Sequence, residues 1–413
     1  MRLDIIRQAC ILVGGRGTRL GHLTRLVPKP LIHIDENTAF LDIVIDQVAR
    51  QGFDDIVLLA GHLGHLVRER YDHRHYGSAR LHVIVEREPS GTAGALAAAQ
   101  EIIAPQFLLL NGDTYADIDL RALSLEWMTS DLDGVIALQV IDDPSRYGAV
   151  VLDQDRVVGF LEKGQGTGPA LVNIGAYVLR KSIVNRIHSF PCSLEADILP
   201  SLARERRLKG KVCDGYFIDI GVPQSLEQAR RELPALMRRR VAFLRQDCLI
   251  RADQGNYHQS RQVEWIRGAP ESIRRLNDLG CRVIVVSNLP CGDRQCFDEQ
   301  SADDLHRSMH EQSAALGSFI DAFQYWPHGS EAGIQTRQRD FDRKIDQGMI
   351  FGGLKDFSGS FIISDKQIDI EAAKRMGIPG YLFDEGDLAV FLEECLADLA
   401  KPKAQSPGHM IVR

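Results

Sequence analysis

Short apolar runs that end at glycine or a polar residue alternate with helical periodicity in the first half of the chain. Runs of this length between turn signals are typical of buried strands. They cover 9–13, 55–60, 81–85 and 107–110. Residues 39–51 instead carry apolar side chains on one helical face. Strands alternating with helices predict an α/β domain with a mostly parallel, doubly wound sheet.

The same alternation returns after residue 240, with a helical segment at 268–279. It predicts a second, parallel α/β domain. The strand-like runs cover 241–244, 281–288, 360–366 and 378–383. Between the two patterns, Pro234 and the run Arg238-Arg239-Arg240 indicate a domain junction, and the arginines are interpreted as a solvated face. We therefore expect domains at 1–236 and 237–400, followed by a tail at 401–413.

Composition narrows the class of protein. A chain of 413 residues with 44% hydrophobic and 25% charged residues is ordinary for a globular protein of two or three domains. The net charge of -7 argues against a nucleic-acid partner, and no apolar run reaches the length of a membrane span. Eight cysteines without a CxxC pair, and an N-terminus without an apolar signal core, predict reduced thiols and a cytoplasmic location.

The first strand runs directly into a glycine-rich loop, Gly14-Gly15-Arg16-Gly17-Thr18-Arg19-Leu20, and Pro28-Lys29-Pro30 follows. Such a loop lets backbone N–H groups approach a triphosphate closely, and the basic side chains add positive charge. The loop matches neither the dinucleotide pattern nor the P-loop pattern. A tight strand-to-helix turn with a chance lysine is the alternative. The full combination resembles the sugar-1-phosphate nucleotidyltransferases.

Six later segments resemble motifs of the same family, in the same order. They are Glu88–Ala95 with Gly91 and Thr92; Asn111-Gly112-Asp113; Glu162-Lys163-Gly164; Asn173-Ile174-Gly175 and Ser193–Asp197 with Glu195; and Tyr216–Pro223 with Asp219. The second segment follows the apolar, strand-like run 107–110, which thus places the Asp113 carboxylate at a strand end. The first also reads as a helix N-terminus capped by Ser90 or Thr92. Gly164 departs from the proline that the family usually has.

The resemblance covers residues 8–235 and implies a mixed, Rossmann-like (GT-A-like) sheet. It implies a Mg²⁺ cofactor held by Asp113 and Asp219, with a nucleoside triphosphate and a sugar 1-phosphate as partners. The implied catalytic residues are Arg19, Lys29, Asp113 and Asp219. The implied nucleotide-binding residues are Gly14, Gly15, Gly17, Thr18, Gly91, Thr92 and Gly112. The implied sugar-phosphate-binding residues are Glu162, Lys163, Asn173, Gly175 and Glu195.

Residues 240–395 resemble the haloacid-dehalogenase-type phosphatases, in the heptose bisphosphate and histidinol phosphate branch. The resemblance implies phosphate binding by Ser287 and Lys344, and a magnesium motif at Asp365 and Asp369. However, the position of the family's nucleophilic aspartate is Arg245, which cannot form an aspartyl phosphate. The acid/base, Asp247, remains. The zinc-loop positions are Trp326, His328, Asp340 and Asp342, so we expect no zinc.

The second half therefore reads as a phosphatase scaffold without phosphatase chemistry. We hypothesise that the Arg245 guanidinium replaces the metal and pairs with Asp365 or Asp247, since buried carboxylates need a positive partner. By its resemblance, the first half transfers GMP from GTP to a manno-heptose or mannose-like 1-phosphate for a surface glycan. A bifunctional enzyme with bisphosphate phosphatase activity and a non-catalytic phosphosugar sensor are the alternatives. Base, sugar and homo-oligomeric state stay open at this point.

Overall fold

The computed structural model describes residues 6–76, 79–128, 132–144, 147–161, 168–237, 239–251, 263–289, 299–327, 359–375 and 377–401. The chain divides into two compact units, Met1–Met237 and Arg238–Arg413. The division falls later than the start of the junction expected from Pro234, because the helix Pro223–Met237 continues through that proline.

A ten-stranded sheet forms the centre of the first unit, in the order β3-β4-β2-β1-β5-β10-β7-β11-β9-β8. Its strands are β1 Gln8–Leu12, β2 Asp55–Ala60, β3 His75–Tyr76, β4 Ala79–Val85, β5 Gln106–Asn111, β7 Gly134–Ile141, β8 Val150–Asp153, β9 Arg156–Phe160, β10 Ala170–Arg180 and β11 Leu208–Val212. A separate antiparallel pair is β6 Thr114–Ala116 and β12 Phe217–Asp219.

Helices cover both faces of this sheet. They are α1 Phe40–Arg50, α2 Gly64–Tyr71, α3 Gly91–Ala98, α4 Leu120–Met128, α5 Leu199–Arg204 and α6 Pro223–Met237. Along β1, Ala9 and Ile11 enter one apolar core while Cys10 enters the other. This burial on both faces explains why the central strands read as continuous apolar runs.

The sheet is mixed, so the expectation of a mostly parallel sheet holds for only part of it. Strands β4, β2, β1 and β5 are parallel neighbours. Beyond them β10 runs antiparallel to both β5 and β7, and β9 antiparallel to β11 and β8. The apolar runs did not indicate this antiparallel part, because strand direction depends on the connections between strands. The mixed sheet that the resemblance implied is confirmed.

A five-stranded, fully parallel sheet forms the centre of the second unit, in the order β15-β14-β13-β16-β17. Its elements are β13 Val241–Arg245, α7 Ala269–Asp278, β14 Arg282–Leu289, α8 Glu299–Ala315, β15 Ala322–Pro327, β16 Phe361–Ser364, α9 Gln367–Arg375, β17 Gly380–Leu382 and α10 Leu388–Leu399. Across the described ranges of both units, no helix combines the length and apolarity needed to cross a bilayer.

Candidate active site

A cavity of about 460 Å³ lies at the carboxyl ends of β1, β2, β4 and β5 in the first unit. Parallel strands leave their carboxyl ends at one edge, which is where open α/β sheets bind ligands. Among its lining residues are seven of the implied site residues: Gly14, Gly15, Lys29, Gly91, Thr92, Asp113 and Glu195. The structure thus brings together segments that lie up to 181 positions apart (195 − 14).

The backbone of the glycine loop packs closely against the Lys29 side chain at Gly17. Gly17 has φ +60°, and a Cβ there would lie 2.8 Å from Thr24 Cγ2 and 3.1 Å from Lys29 Cβ. Only glycine fits this combination of conformation and space without strain. Thr18 follows at the start of a 3₁₀ helix and is exposed, as is Arg19.

Lys29 lies between the two aspartates that the resemblance paired. Its Nζ is 2.6 Å from Asp113 Oδ2 and 3.4 Å from Asp219 Oδ1. Asp113 lies two residues after the end of β5, and the β6–β12 pair sets Asp219 opposite Thr114. A further backbone bond, from Ile220 N to Asp113 O at 3.1 Å, fixes the two segments. The antiparallel pair therefore places two carboxylates side by side that spacing in the sequence cannot connect.

Positive charge borders the same carboxylates. Arg16 lines the cavity and is exposed. A Cβ on Gly221 would lie 2.8 Å from Asp219 Oδ1 and 3.1 Å from Arg19 Nη2, so the Arg19 guanidinium lies close to Asp219. Guanidinium groups bind phosphate oxygens in planar geometry, so a triphosphate in this cavity would find cationic partners near the aspartates.

The beginning of α3 packs against the segment that carries Glu195. Gly91 has φ +83°, and a Cβ there would lie 2.3 Å from Cys192 O. Thr92 Oγ1 donates to Glu195 Oε2 at 2.9 Å and accepts from Leu194 N at 2.7 Å. These hydrogen bonds hold Glu195 at the cavity wall, where its carboxylate could contact a bound ligand.

Glu86 was missed by the sequence analysis. It directly follows β4, lines the cavity and accepts two hydrogen bonds from Ser90, from N at 3.0 Å and from Oγ at 2.8 Å. The Ser90 side chain therefore bonds to Glu86 and does not cap α3, so the expected Ser90 cap is wrong. Its position in the sequence could have indicated a site residue, because Glu86 is the first polar residue after a buried strand, and Asp113 likewise lies just beyond β5.

Asn173, Gly175 and Gly112 support the cavity wall and are not among its lining residues. Asn173 lies at a bulge of β10, where its Oδ1 accepts from Gly175 N at 2.9 Å and its Nδ2 donates to the Tyr177 hydroxyl at 2.7 Å. Burial raises the pKa of the Tyr177 phenol well above its usual value, so this acceptor stays neutral. Gly175 packs closely on Asn111, which does line the cavity. Gly112 donates to Leu12 O at 2.9 Å.

A second cluster of charged residues lies at the carboxyl ends of β13 and β16. Arg245 is 2% exposed, and its Nη1 is 3.1 Å from Asp369 Oδ2. Its Nε is 3.4 Å from Asp247 Oδ2. Ser364 Oγ also donates to Asp369 Oδ2, at 2.7 Å. The expected pairing with Asp247 is confirmed, and Asp369 is an additional, buried partner.

The expected pairing of Arg245 with Asp365 is wrong. Asp365 Oδ2 pairs instead with Lys366 Nζ at 2.7 Å, while its buried Oδ1 has no hydrogen-bond partner in the described part of the chain. Asp369 lies in the first turn of α9, where its buried carboxylate contacts the buried Arg245 guanidinium. Ser287 is buried in β14, one residue past the register partner of Arg245.

Several expected site residues fall outside the described ranges: Glu162, Lys163, His328, Asp340, Asp342 and Lys344. Trp326 belongs to β15 by its backbone. Among described residues, no group of three or more His, Cys, Asp or Glu side chains could hold a metal ion. The absence of zinc stays a prediction, since most of the relevant positions are in the undescribed segment.

Comparison with known proteins places the first unit in a family. The family described as Nucleotidyl transferase matches residues 8–235. The D-glycero-α-D-manno-heptose 1-phosphate guanylyltransferase of Aneurinibacillus thermoaerophilus is 32% identical over 228 residues, 55% of this chain and 98% of that protein. A mannose-1-phosphate guanylyltransferase catalytic subunit beta from Danio rerio is 31% identical, over 57% of this chain and 69% of that protein.

A solved structure agrees with these matches. The crystal structure of HddC from Yersinia pseudotuberculosis is 31% identical, with a TM-score of 0.50, and covers 55% of this chain and 100% of its own. The family match includes the glycine loop, Lys29 and both aspartates, and ends before the second unit begins. The chain therefore belongs to the nucleotidyl transferase family.

Proposed function

We propose that this protein transfers GMP from GTP to a sugar 1-phosphate, releasing pyrophosphate and forming a GDP-sugar for a surface glycan. D-glycero-α-D-manno-heptose 1-phosphate is the favoured acceptor, because similar proteins from Aneurinibacillus thermoaerophilus and Campylobacter jejuni bear that name. A mannose-like 1-phosphate is the second choice. The observation that carries the proposal is that Lys29 and Asp113 line one cavity and that Lys29 also contacts Asp219.

The two aspartates fit a magnesium ion. Mg²⁺ prefers carboxylate oxygens together with substrate phosphates and water, so one or two carboxylates are enough. The Asp113 side chain is 38% exposed and lines the cavity, while that of Asp219 is 18% exposed. When bound, Mg²⁺ would stabilise the negative charge that develops on the phosphates.

The chain itself positions the two substrates. Backbone N–H groups of the glycine loop, together with Lys29 and Arg16, would bind the triphosphate. An oxygen of the sugar phosphate attacks the α-phosphorus, a new P–O bond forms, and the bond to the β-phosphate oxygen breaks so that pyrophosphate leaves. No protein nucleophile is required. Catalysis on this account is orientation plus charge stabilisation, and Lys163 would bind the phosphate of the sugar.

Glu86 supports guanine as the base. An ionised carboxylate only accepts hydrogen bonds, and guanine presents two adjacent donors, N1–H and the 2-amino group. Adenine, cytosine and uracil each place an acceptor next to the corresponding donor. Ser90 fixes one carboxylate oxygen of Glu86 at the cavity wall, so the acceptor is oriented before the nucleotide binds.

The second unit is proposed to be a haloacid-dehalogenase-like scaffold that lacks phosphatase activity. Its parallel sheet and its carboxylates at the strand ends support the likeness. A divalent metal does not fit beside Arg245, because the buried guanidinium already pairs with Asp369 and Asp247 and its fixed charge repels a second cation. We derive no reaction step in this unit.

A pyrophosphate-release screen tests the proposal. The purified full-length chain with Mg²⁺ is given each of four nucleoside triphosphates against a panel of sugar 1-phosphates. We expect the highest kcat/KM with GTP and the manno-heptose 1-phosphate. Preference for another triphosphate would contradict the guanine assignment, and no turnover with any pair would contradict the activity.

A further inference from the structure

We propose that Lys29 acts as a placeholder cation: it holds Asp113 and Asp219 in the metal-free enzyme and releases them when the nucleotide binds. Metal would then bind well only together with the nucleotide. The inference rests on the proposed function, since it concerns the magnesium site proposed above. It adds that the site suppresses metal binding until the triphosphate is present.

The geometry places the lysine where it competes with a metal. Lys29 is 4% exposed, and its ammonium contacts one oxygen of each aspartate, at 2.6 and 3.4 Å. A divalent ion approaching both carboxylates meets a positive charge at hydrogen-bond distance from the same oxygens. Like charges this close repel each other strongly in a partly shielded site.

Two prolines and a 3₁₀ turn restrict the backbone on both sides of Lys29. Pro28 and Pro30 flank it, and proline fixes its own φ near −65°. The Leu31 N–H bonds to Pro28 O at 2.8 Å and closes a 3₁₀ turn. We therefore expect the change of partner to occur mainly by rotation of the lysine side chain, which has several rotatable bonds.

The triphosphate offers the lysine another partner. A buried ammonium cannot leave its carboxylates without a replacement negative charge. Lys29, Gly15 and Arg16 line the same cavity, so a bound triphosphate would bring that charge beside Nζ. When Lys29 turns to a phosphate oxygen, Asp113 and Asp219 become available to the metal. Metal and nucleotide would then strengthen each other's binding by the same factor.

A lysine that only binds phosphate gives a different expectation. In that case its removal weakens nucleotide binding and leaves metal binding in the absence of nucleotide unchanged. If Lys29 is a placeholder, its removal tightens metal binding in the absence of nucleotide. The two roles are therefore separated by metal affinity, which does not depend on turnover.

The test is a titration of the full-length chain with Mn²⁺ alone, with free Mn²⁺ measured by electron paramagnetic resonance. The variants are Lys29→Gln, which keeps a hydrogen-bond donor, and Lys29→Met, which keeps the length. Lys29→Arg keeps the charge. Lys211→Met is the matched control, because Lys211 is half-buried, pairs with Glu126 and does not line the cavity. The double variant Lys29→Gln/Asp113→Asn tests whether Mn²⁺ binds at Asp113.

We expect the two neutral variants to bind Mn²⁺ about five- to 150-fold more tightly than the wild type, as for a typical coupling free energy. Lys29→Arg and Lys211→Met should bind like the wild type, and the added Asp113→Asn should remove the gain. Unchanged or weaker Mn²⁺ binding in both neutral variants would overturn the inference.

A second titration, with guanosine α,β-methylene triphosphate present, separates this failure from failure of the proposed function. In the wild type the analogue should tighten Mn²⁺ binding, and Asp113→Asn should abolish that effect. If Asp113→Asn abolishes that effect while Lys29→Gln and Lys29→Met bind Mn²⁺ no more tightly than the wild type, the metal site is supported and the placeholder role is contradicted. If Asp113→Asn has no effect, the metal site itself is wrong.

Discussion

Each unit of the chain places a cation among carboxylates at the carboxyl end of a parallel strand, yet the two clusters differ in access. In the first, Lys29 pairs with Asp113, whose side chain is 38% exposed and lines a cavity. In the second, Arg245 pairs with Asp369, and their side chains are 2% and 4% exposed, while its other partner, Asp247, is 41% exposed. The first cluster faces a cavity and is the open site; the second, whose central ion pair is buried and does not line that cavity, is the closed cluster.

Side-chain chemistry reinforces the difference. Lys29 is a point charge on a flexible stem, while the Arg245 guanidinium is planar and contacts two carboxylates at once. Similar positions in two α/β sheets thus give a lysine–aspartate pair that lines a cavity and a buried arginine–aspartate pair. We infer that catalysis resides in the first unit and that the second cluster mainly stabilises its own domain.

The largest expected effect separates the two clusters by activity. Asp113→Asn removes a metal-binding charge and should lower the rate of pyrophosphate release by about a thousandfold, since metal charge stabilisation is worth several kcal/mol. The matched variant Asp247→Asn, in the closed cluster, should leave the rate unchanged. Near-normal release from Asp113→Asn would contradict the assignment of the open site.

The next prediction concerns stability. Arg245→Met removes the buried cation that pairs with Asp369 and should destabilise the second unit by about 3–5 kcal/mol. Hydrogen exchange of the β13 and β16 amides measures this unit separately, which matters because a chain with two units need not unfold in one step.

A compensated variant provides the control for Arg245. Arg245→Met/Asp369→Leu removes both charges and should recover most of the stability. Pyrophosphate release should be unchanged in both variants. Unaltered exchange in Arg245→Met would show that the ion pair does not stabilise this unit.

A third prediction distinguishes the two substrates of the open site. Lys163→Ala should raise the KM for the sugar 1-phosphate about ten- to 100-fold, because removing a charged partner of a phosphate costs 1.5–3 kcal/mol. The KM for GTP should change little, since the glycine loop and Lys29 bind the triphosphate. Equal increases for both substrates would show that Lys163 has another position.

The smallest predicted effect concerns the base. Glu86→Gln replaces one acceptor oxygen by a donor and should reduce the GTP-to-ATP ratio of kcat/KM about tenfold, as expected for one hydrogen bond. Ser90→Ala removes only the hydroxyl contact and should give a smaller change in the same direction. An unchanged GTP-to-ATP ratio of kcat/KM in Glu86→Gln would show that Glu86 does not recognise the base.

Motif order predicted most of the open site, because glycines and charged residues at strand ends keep a recognisable pattern. The pairing of Asp113 with Asp219 required the resemblance, since the β6–β12 pair that joins them is too short to be evident from periodicity. Glu86 was missed because a single acidic residue after a strand has no distinctive spacing.

Sequence was less informative about the closed cluster. The replacement of an aspartate by Arg245 predicted an ion pair, but spacing in the sequence does not tell which of the aspartates lie beside the guanidinium; in the structure they are Asp369 and Asp247. Asp369 lies inside, while Asp365 faces Lys366. Mixed strand direction in the first sheet was likewise invisible in the apolar runs, since β10 is buried whichever way it runs.

One product analysis tests the central claim that chemistry resides in the first unit alone. The full-length chain with Mg²⁺ is incubated with GTP and D-glycero-α-D-manno-heptose 1-phosphate, and separately with the corresponding 1,7-bisphosphate alone, and pyrophosphate and inorganic phosphate are measured. We expect one pyrophosphate for each GDP-heptose formed in the first incubation and no phosphate in the second. Phosphate released from the bisphosphate, and lost in Asp247→Asn, would contradict the account.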